Sequence, residues 1–283
     1  YTELISPVLN KDSKVEIGDV EWKPGDSETF YLTTRSEAGI KSEFYVTRDK
    51  GKTFQDIKPV IKASNIQLDV WNKAGKEDFI FMAYGDPSMT VQVFDGKNWS
   101  APRNKVAVFH NAGSPYWNME FDVNDEDTAV MYLSTTQLSK SVDGGRIWQT
   151  VSEYWGKESH ADIRDMRILK STEGGKEDVI GMSNDGGFTI GKSNPEGKLD
   201  WKNINGYGLA ISQFWGMTSC ESEPGVLAGG GQDNGIYVGR HGNWVAVAAA
   251  VGDAVCGAVG AAVVGAGFGP DVAVTVSPGA VCR

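Results

Sequence analysis

Thirty-five glycines and nine tryptophans in 283 residues, and a turn-and-aromatic box that recurs at a blade-like interval, predict an all-β fold of repeated four-stranded sheets. The architecture expected is a β-propeller of about six blades, or a fragment of a larger ring of seven or more. Residues 1–244 hold five box-type units, with Leu4–Leu9 as a closing outer strand. Residues 245–283, about three-quarters Ala, Val or Gly, are read as the last blade. An open ring would leave a sheet edge that other sequence must cover.

The elements follow in order. Thr47–Phe54 and Ser141–Trp148 both read S/T-x-D-x-G-x-x-aromatic, with aspartates about 94 residues apart, twice about 47. A worn copy, Asp95-Gly96-Lys97-Asn98-Trp99, lies midway, and Ser193–Gly197 leading to Trp201 and His241–Trp244 continue the series. Ahead of the first and third boxes stand the acidic turns Pro24–Thr29 and Asp122–Asp127, followed by the strand-like runs Phe30–Thr34 and Ala129–Thr135. Within each box an aspartate accepts backbone N–H bonds, glycine supplies a positive φ, and the ring packs between sheets. Asp49, Gly51 and Phe54, and Asp143, Gly145 and Trp148, are therefore assigned to structure.

These boxes resemble the BNR or Asp-box repeats of sialidases, xyloglucanases and sortilin-type receptors. The ordered series His160-Ala161-Asp162, Asn184-Asp185-Gly186-Gly187-Phe188, Gly208-Leu209 with Gln213-Phe214, and Gly229–Gly235 is similar to that of secreted bacterial proteins with sortilin-like propellers. The sortilin likeness implies peptide binding. The xyloglucanase likeness implies glycoside hydrolysis, which uses one protonated and one ionised carboxyl, and Asp162 and Asp185 are the candidate pair. Asn184–Gly187 is similar to a D-x-G-G turn of those enzymes but departs from it between the Asp and the Gly pair. The likeness to sialidases stops at the boxes: Arg167-Ile168-Leu169 is late in the chain and lacks the Pro of an R-I-P segment.

Candidate ligand-binding residues are His160 beside Asp162, Trp215 as a ring for a sugar face, and the amide-rich loop Gln232, Asp233 and Asn234. Asp122–Asp127 has the oxygens of a calcium loop but lacks the Gly and terminal Glu of an EF-hand, so no cofactor is expected, a structural calcium being the alternative. No metal site is read from Cys220, Cys256 and Cys282 or from the three histidines, because their spacing fits none. A net charge of −10 with no basic run excludes a nucleic-acid surface. Asp253, Pro270-Asp271 and several glycines interrupt the apolar tail, so no membrane span is read there. The chain lacks G-x-S-x-G, Walker and H-E-x-x-H motifs.

The function expected is an exported or cell-surface module that binds a glycan or extended polypeptide on its loop face. A glycoside hydrolase of β-glucan-like polysaccharides and a structural module of a cell-surface protein are the alternatives.

Overall fold

The computed structural model describes residues 16–35, 43–57, 65–72, 79–85, 89–95, 97–103, 119–152, 163–184, 186–204, 214–219, 223–231, 235–240 and 243–248. They form five antiparallel sheets and one 3-10 turn, Glu173–Gly175. The first sheet comprises β1 (Glu16–Trp22), β2 (Phe30–Arg35), β3 (Phe44–Thr47) and β4 (Gln55–Asp56). The second comprises β5 (Asn65–Trp71), β6 (Phe79–Gly85) and β7 (Met89–Phe94). The third holds β8 (Glu120–Val123), β9 (Met131–Ser134), β10 (Leu138–Ser141) and β11 (Gln149–Ser152). The fourth holds β12 (Ile163–Lys170), β13 (Val179–Asn184), β14 (Gly187–Ser193) and β15 (Leu199–Asn203). The fifth holds β16 (Phe214–Ser219), β17 (Val226–Gly231), β18 (Gly235–Arg240) and β19 (Asn243–Ala248).

Every sheet is a meander in chain order. Among the described residues the second has three strands, and a single bridge from Phe94 to Trp99 stands where the others have a fourth. The chain divides into two compact units: Tyr1–Ile204 carries four sheets and Asn205–Arg283 carries the fifth. The expected closing strand Leu4–Leu9 and residues 249–283 lie outside the described residues.

Strand periodicity decides how the first unit packs. Along β6, Ile80 and Met82 point to one side and join Tyr31, Phe44 and Val46 of the first sheet, while Phe81 and Ala83 point to the other and join Phe121 and Leu133 of the third. The run Val130–Leu133 splits in the same way. Met131 and Leu133 face the second sheet, and Val130 and Tyr132 face Ile180 and Met182 of the fourth. A strand apolar on both faces belongs to a sheet covered on both faces, so these sheets stack face to face in chain order. Each fully buried Leu, Ile or Met there stabilises by about 1.5–3 kcal/mol.

The closing rings fill the same seams. Trp99 packs between the first and second sheets, Trp148 between the second and third, and Trp201 between the third and fourth. Trp201 lies so close to β14 that a Cβ on Gly191 would stand 2.6 Å from its Cζ3. Gly191→Ala is therefore expected to destabilise by about 1–3 kcal/mol through overpacking, read as a lower urea midpoint at unchanged m-value.

The first strands of these sheets are neighbours too: β1 touches β5, β5 touches β8, and β8 touches β12. A sheet's first strand presents unpaired N–H groups along its outer side, and here aspartates satisfy some of them. Asp19 Oδ2 accepts from Leu68 N at 2.7 Å, Asp69 Oδ2 from Val123 N at 2.6 Å, and Asp122 Oδ2 from Ile168 N at 2.7 Å. Each inner strand is thus latched to the next by one carboxylate. The latch corrects the expected turn at Asp122–Asp127, since Asp122 and Val123 belong to β8 and the turn begins at Asn124.

Candidate functional site

The two full boxes are the same hydrogen-bond circuit. Thr47 Oγ1 donates to Asp49 Oδ1 at 2.8 Å and accepts from Gly51 N at 2.8 Å, while Thr53 N and Oγ1 donate to the Asp49 carboxylate at 2.9 and 2.6 Å. Ser141 Oγ donates to Asp143 Oδ1 at 2.9 Å and accepts from Gly145 N at 2.9 Å, and Arg146 N and Ile147 N complete the set. The positive φ that Gly144 supplies in the second box falls on Lys50 in the first, the one non-glycine in that region among the described residues. The Thr53 hydroxyl and amide and the Thr47 hydroxyl hold the Asp49 carboxyl down at about 2. Phe54 packs on Phe30, Leu32 and Tyr45, and the Trp148 indole donates to Gly145 O at 3.1 Å. Asp49 through both its oxygens and Asp143 through Oδ1 hold their own turns closed, the structural role the boxes assign them.

The four inner strands bring a different set of groups together. Asp19 and Glu21 come from β1, Asp69 from β5, Glu120 and Asp122 from β8, and Asp165 and Arg167 from β12. Glu21 Oε1 accepts from Arg167 Nη1 at 3.0 Å, linking the first sheet to the fourth, and Arg167 Nε stands 3.8 Å from Asp165 Oδ1. The latch register makes Arg167 the counterpart in β12 of Asp122 in β8, because each precedes the residue whose N–H is latched.

Burial, with like charge crowded nearby, raises Asp19, Glu21, Asp69, Glu120 and Asp122. Burial first, then the charge of Asp19, pushes Glu21 up to about 7 although Arg167 opposes the shift. Burial and the charge of Asp165 push Glu120 up to about 8. Burial, and then the charge of Asp122, raises Asp69 well above its ordinary value, and burial raises Asp122 as well. Near neutral pH the cluster therefore offers carboxylic O–H donors, carboxylate acceptors and one guanidinium at the same place.

Asp162, Asp185, His160, Gln232, Asp233 and Asn234 lie outside the described residues, and Trp215 lies on β16. In the supposed calcium loop, Asn124 Oδ1 accepts from Glu126 N and Asp127 N at 2.8 and 2.9 Å, and Asp122 is taken by its latch. Among the described residues no three His, Cys, Asp or Glu side chains converge as metal ligands, and no helix is long and apolar enough to cross a membrane. The inner-strand carboxyls were missed, although Asp19-Val20, Asp69-Val70 and Asp122-Val123 recur about fifty residues apart.

Antiparallel meanders stacked in chain order, with their first strands side by side, define the class: this is an all-β protein of the β-propeller type. No family model matches the chain, and no curated protein matches it. Similar solved structures include a GH74 enzyme from Niastella koreensis, at 15% identity and a TM-score of 0.47 over 81% of this chain and 38% of that one. They also include YCF48 bound to D1 peptide, at 15% identity and 0.35 over 82% and 80%, and YCF48 from Cyanidioschyzon merolae, at 12% and 0.34 over 82% and 84%. The chain thus spans well under half the length of the GH74 enzyme. The propeller assignment stands on the sheets themselves.

Proposed function

We propose that the chain is an exported propeller binding module that takes a polar polymer, a glycan or an extended polypeptide, at the inner-strand cluster. One observation carries this reading: Glu21, Glu120, Asp165 and Arg167 come from three different sheets and present donors and acceptors in one half-buried place. Rigid strands hold them, so little order is lost when hydroxyl or amide groups replace water there. On glycan and peptide arrays, wild type is expected to bind members of one class, and Arg167→Gln with Glu120→Ala to lose that binding while still melting cooperatively. Binding retained in the double variant would remove the cluster from the function.

A second reading, a glycoside hydrolase, is favoured by Glu120, since a carboxyl at about 8 keeps its proton at neutral pH as a general acid must. Asp162 and Asp185 remain the other candidates for that chemistry. Turnover of a β-glucan panel by wild type, lost in Glu120→Gln or in Asp185→Asn, would support hydrolysis and say which carboxyl serves it; no turnover by wild type leaves binding alone.

A further inference from the structure

The inner-strand cluster gathers six carboxyls, Asp19, Glu21, Asp69, Glu120, Asp122 and Asp165, around one guanidinium. Arg167 is the cation that acts on Asp19, Glu21, Glu120 and Asp122 alike. Glu120 feels the like charges of Asp165, Asp19 and Glu21, and Arg164, at the bulge between Ile163 and Asp165, is not among its strong neighbours. Lys140, on β10 opposite Tyr132, is committed to Gly175 O and Ser193 Oγ. Burial and the like charges leave Glu120 holding a proton up to about pH 8, a place that a second cation would fill. The cluster is open to solvent there, with the side chains of Asp165 and Arg167 62% and 51% exposed.

A buried hydroxyl faces the same place. Ser134 stands directly opposite Glu120 across β8 and β9, and cross-strand partners project from the same face of a sheet with Cβ atoms about 5 Å apart. Tyr132, two residues earlier, turns that face toward the fourth sheet. The Ser134 side chain is 0% exposed, and among the described residues its Oγ has no hydrogen-bond partner. Buried hydroxyls are ordinarily satisfied by protein, water or ligand, because leaving one unpaired costs stability. Ile163 N donates to Thr135 O at 3.2 Å, which seats the start of β12, and Asp165 two residues on, against the same hairpin. Glu120, Asp165 and the Ser134 hydroxyl are thus acceptors from two sheets at one end of the cluster.

Three acceptors suit an ammonium, which carries three N–H donors on one atom. Because the hydroxyl is buried, only a slender group reaches it. A lysine bears its charge at the tip of a flexible four-carbon stem, whereas a guanidinium is a wider planar fork and the amine of an amino sugar sits directly on the ring. We infer that the end of the cluster at Glu120 takes the ε-ammonium of a lysine from an extended polypeptide, paired with Glu120 and Asp165 and donating to Ser134 Oγ. This rests on the cluster being the binding site, and it chooses the polypeptide over the glycan.

The test is fluorescence anisotropy with a fluorescein-labelled peptide of serine and threonine carrying one central lysine, alongside the same peptide with Nε-acetyl-lysine. The lysine peptide is expected to bind at least about tenfold more tightly. Glu120→Gln with Asp165→Asn should weaken it by about tenfold or more, while Glu177→Gln with Glu196→Gln, the same loss of charge at exposed turns, should not. Ser134→Ala should weaken binding a few-fold at an unchanged or higher melting temperature, because the free protein loses only an unpaired hydroxyl. Raising the pH from about 6 to 8.5 should tighten wild-type binding by about tenfold, since Glu120 gives up its proton to pair with the ammonium, and Glu120→Gln should reduce that rise. Hydroxyls held by a protonated Glu120 would be released over the same window. Affinity falling with pH, equal binding of the two peptides, no effect of Ser134→Ala, or displacement by chitosan oligomers that bind more tightly would each overturn the lysine assignment. Glycan binding that Arg167→Gln with Glu120→Ala abolishes would then leave the cluster as the site, whereas lysine-dependent binding untouched by Glu120→Gln with Asp165→Asn would remove the cluster from both readings.

Discussion

Asp178→Ala is expected to lower the unfolding free energy by about 3–5 kcal/mol, the largest stability loss of any single polar substitution in the first unit. Asp178 is fully buried, as are Asn124 and Tyr132 beside it. Its carboxylate accepts from Asn124 Nδ2 at 2.9 and 3.0 Å, from Thr172 N and Oγ1 at 2.8 Å each, and from Tyr132 OH at 2.9 Å. These donors come from the turn after β8, from β9 and from the segment after β12, so one group ties the third sheet to the fourth. Alanine would strand four donors in a dry seam, each costing about 1–3 kcal/mol, offset by relaxation and entering water. Tyr132→Phe removes one donor and leaves the carboxylate three, so about 1 kcal/mol is expected. The two substitutions touch one network, and their sum should exceed the double variant's loss. Urea midpoints at constant m-value measure all three, and an Asp178→Ala midpoint within about 0.5 kcal/mol of wild type would refute the network's role.

What the sequence showed and what it hid divides along the range of the interactions. The boxes at Asp49 and Asp143 are closed circuits within seven residues, so their chemistry is written in contiguous letters and the sheet repeat could be counted from them. Even a departure follows: in the fourth unit Pro195 stands at the aspartate position, and the side-chain oxygen of Asn194 one residue earlier accepts from Glu196 N and Lys198 N at 3.1 and 3.0 Å. The inner-strand latches work differently. Asp19 and Leu68 are 49 residues apart, and Asp69 and Val123 are 54 apart. An aspartate inside a strand reads as an interruption of the apolar pattern, because its partner is another sheet's edge, which no local spacing reveals. For the same reason Asp122 passed for the start of a turn. Asp178 gave no signal either, since its partners come from three separate segments.

Raising the pH from about 5 to 8 is expected to lower stability, and Glu120→Gln to flatten that slope. The folded protein holds Glu120 at about 8 and Glu21 at about 7, against ordinary values near 4.5. A raised acid binds its proton more tightly folded than unfolded, so its contribution is complete below about pH 4.5 and is lost as the pH climbs through 7 and 8. One pKa unit corresponds to about 1.4 kcal/mol, but the groups are partly open to water. Discounted for that screening, the loss across this window is about 2 kcal/mol. The turn aspartates act oppositely. Asp49 and Asp143 are held below their usual range by turn hydrogen bonds, so their contribution is lost only as the pH falls below about 4. Maximum stability is therefore expected between about pH 4 and 6. Glutamine keeps a neutral hydrogen-bonding group at position 120, so Glu120→Gln should match wild type near pH 5 and exceed it at pH 8. Arg167→Met should do the reverse, because the guanidinium that Glu21, Asp122 and Asp165 surround is what limits their repulsion. Denaturant midpoints against pH for the three proteins decide it: parallel curves would mean that Glu120 binds its proton no more tightly folded than unfolded, and the inner strands would then owe nothing to that proton.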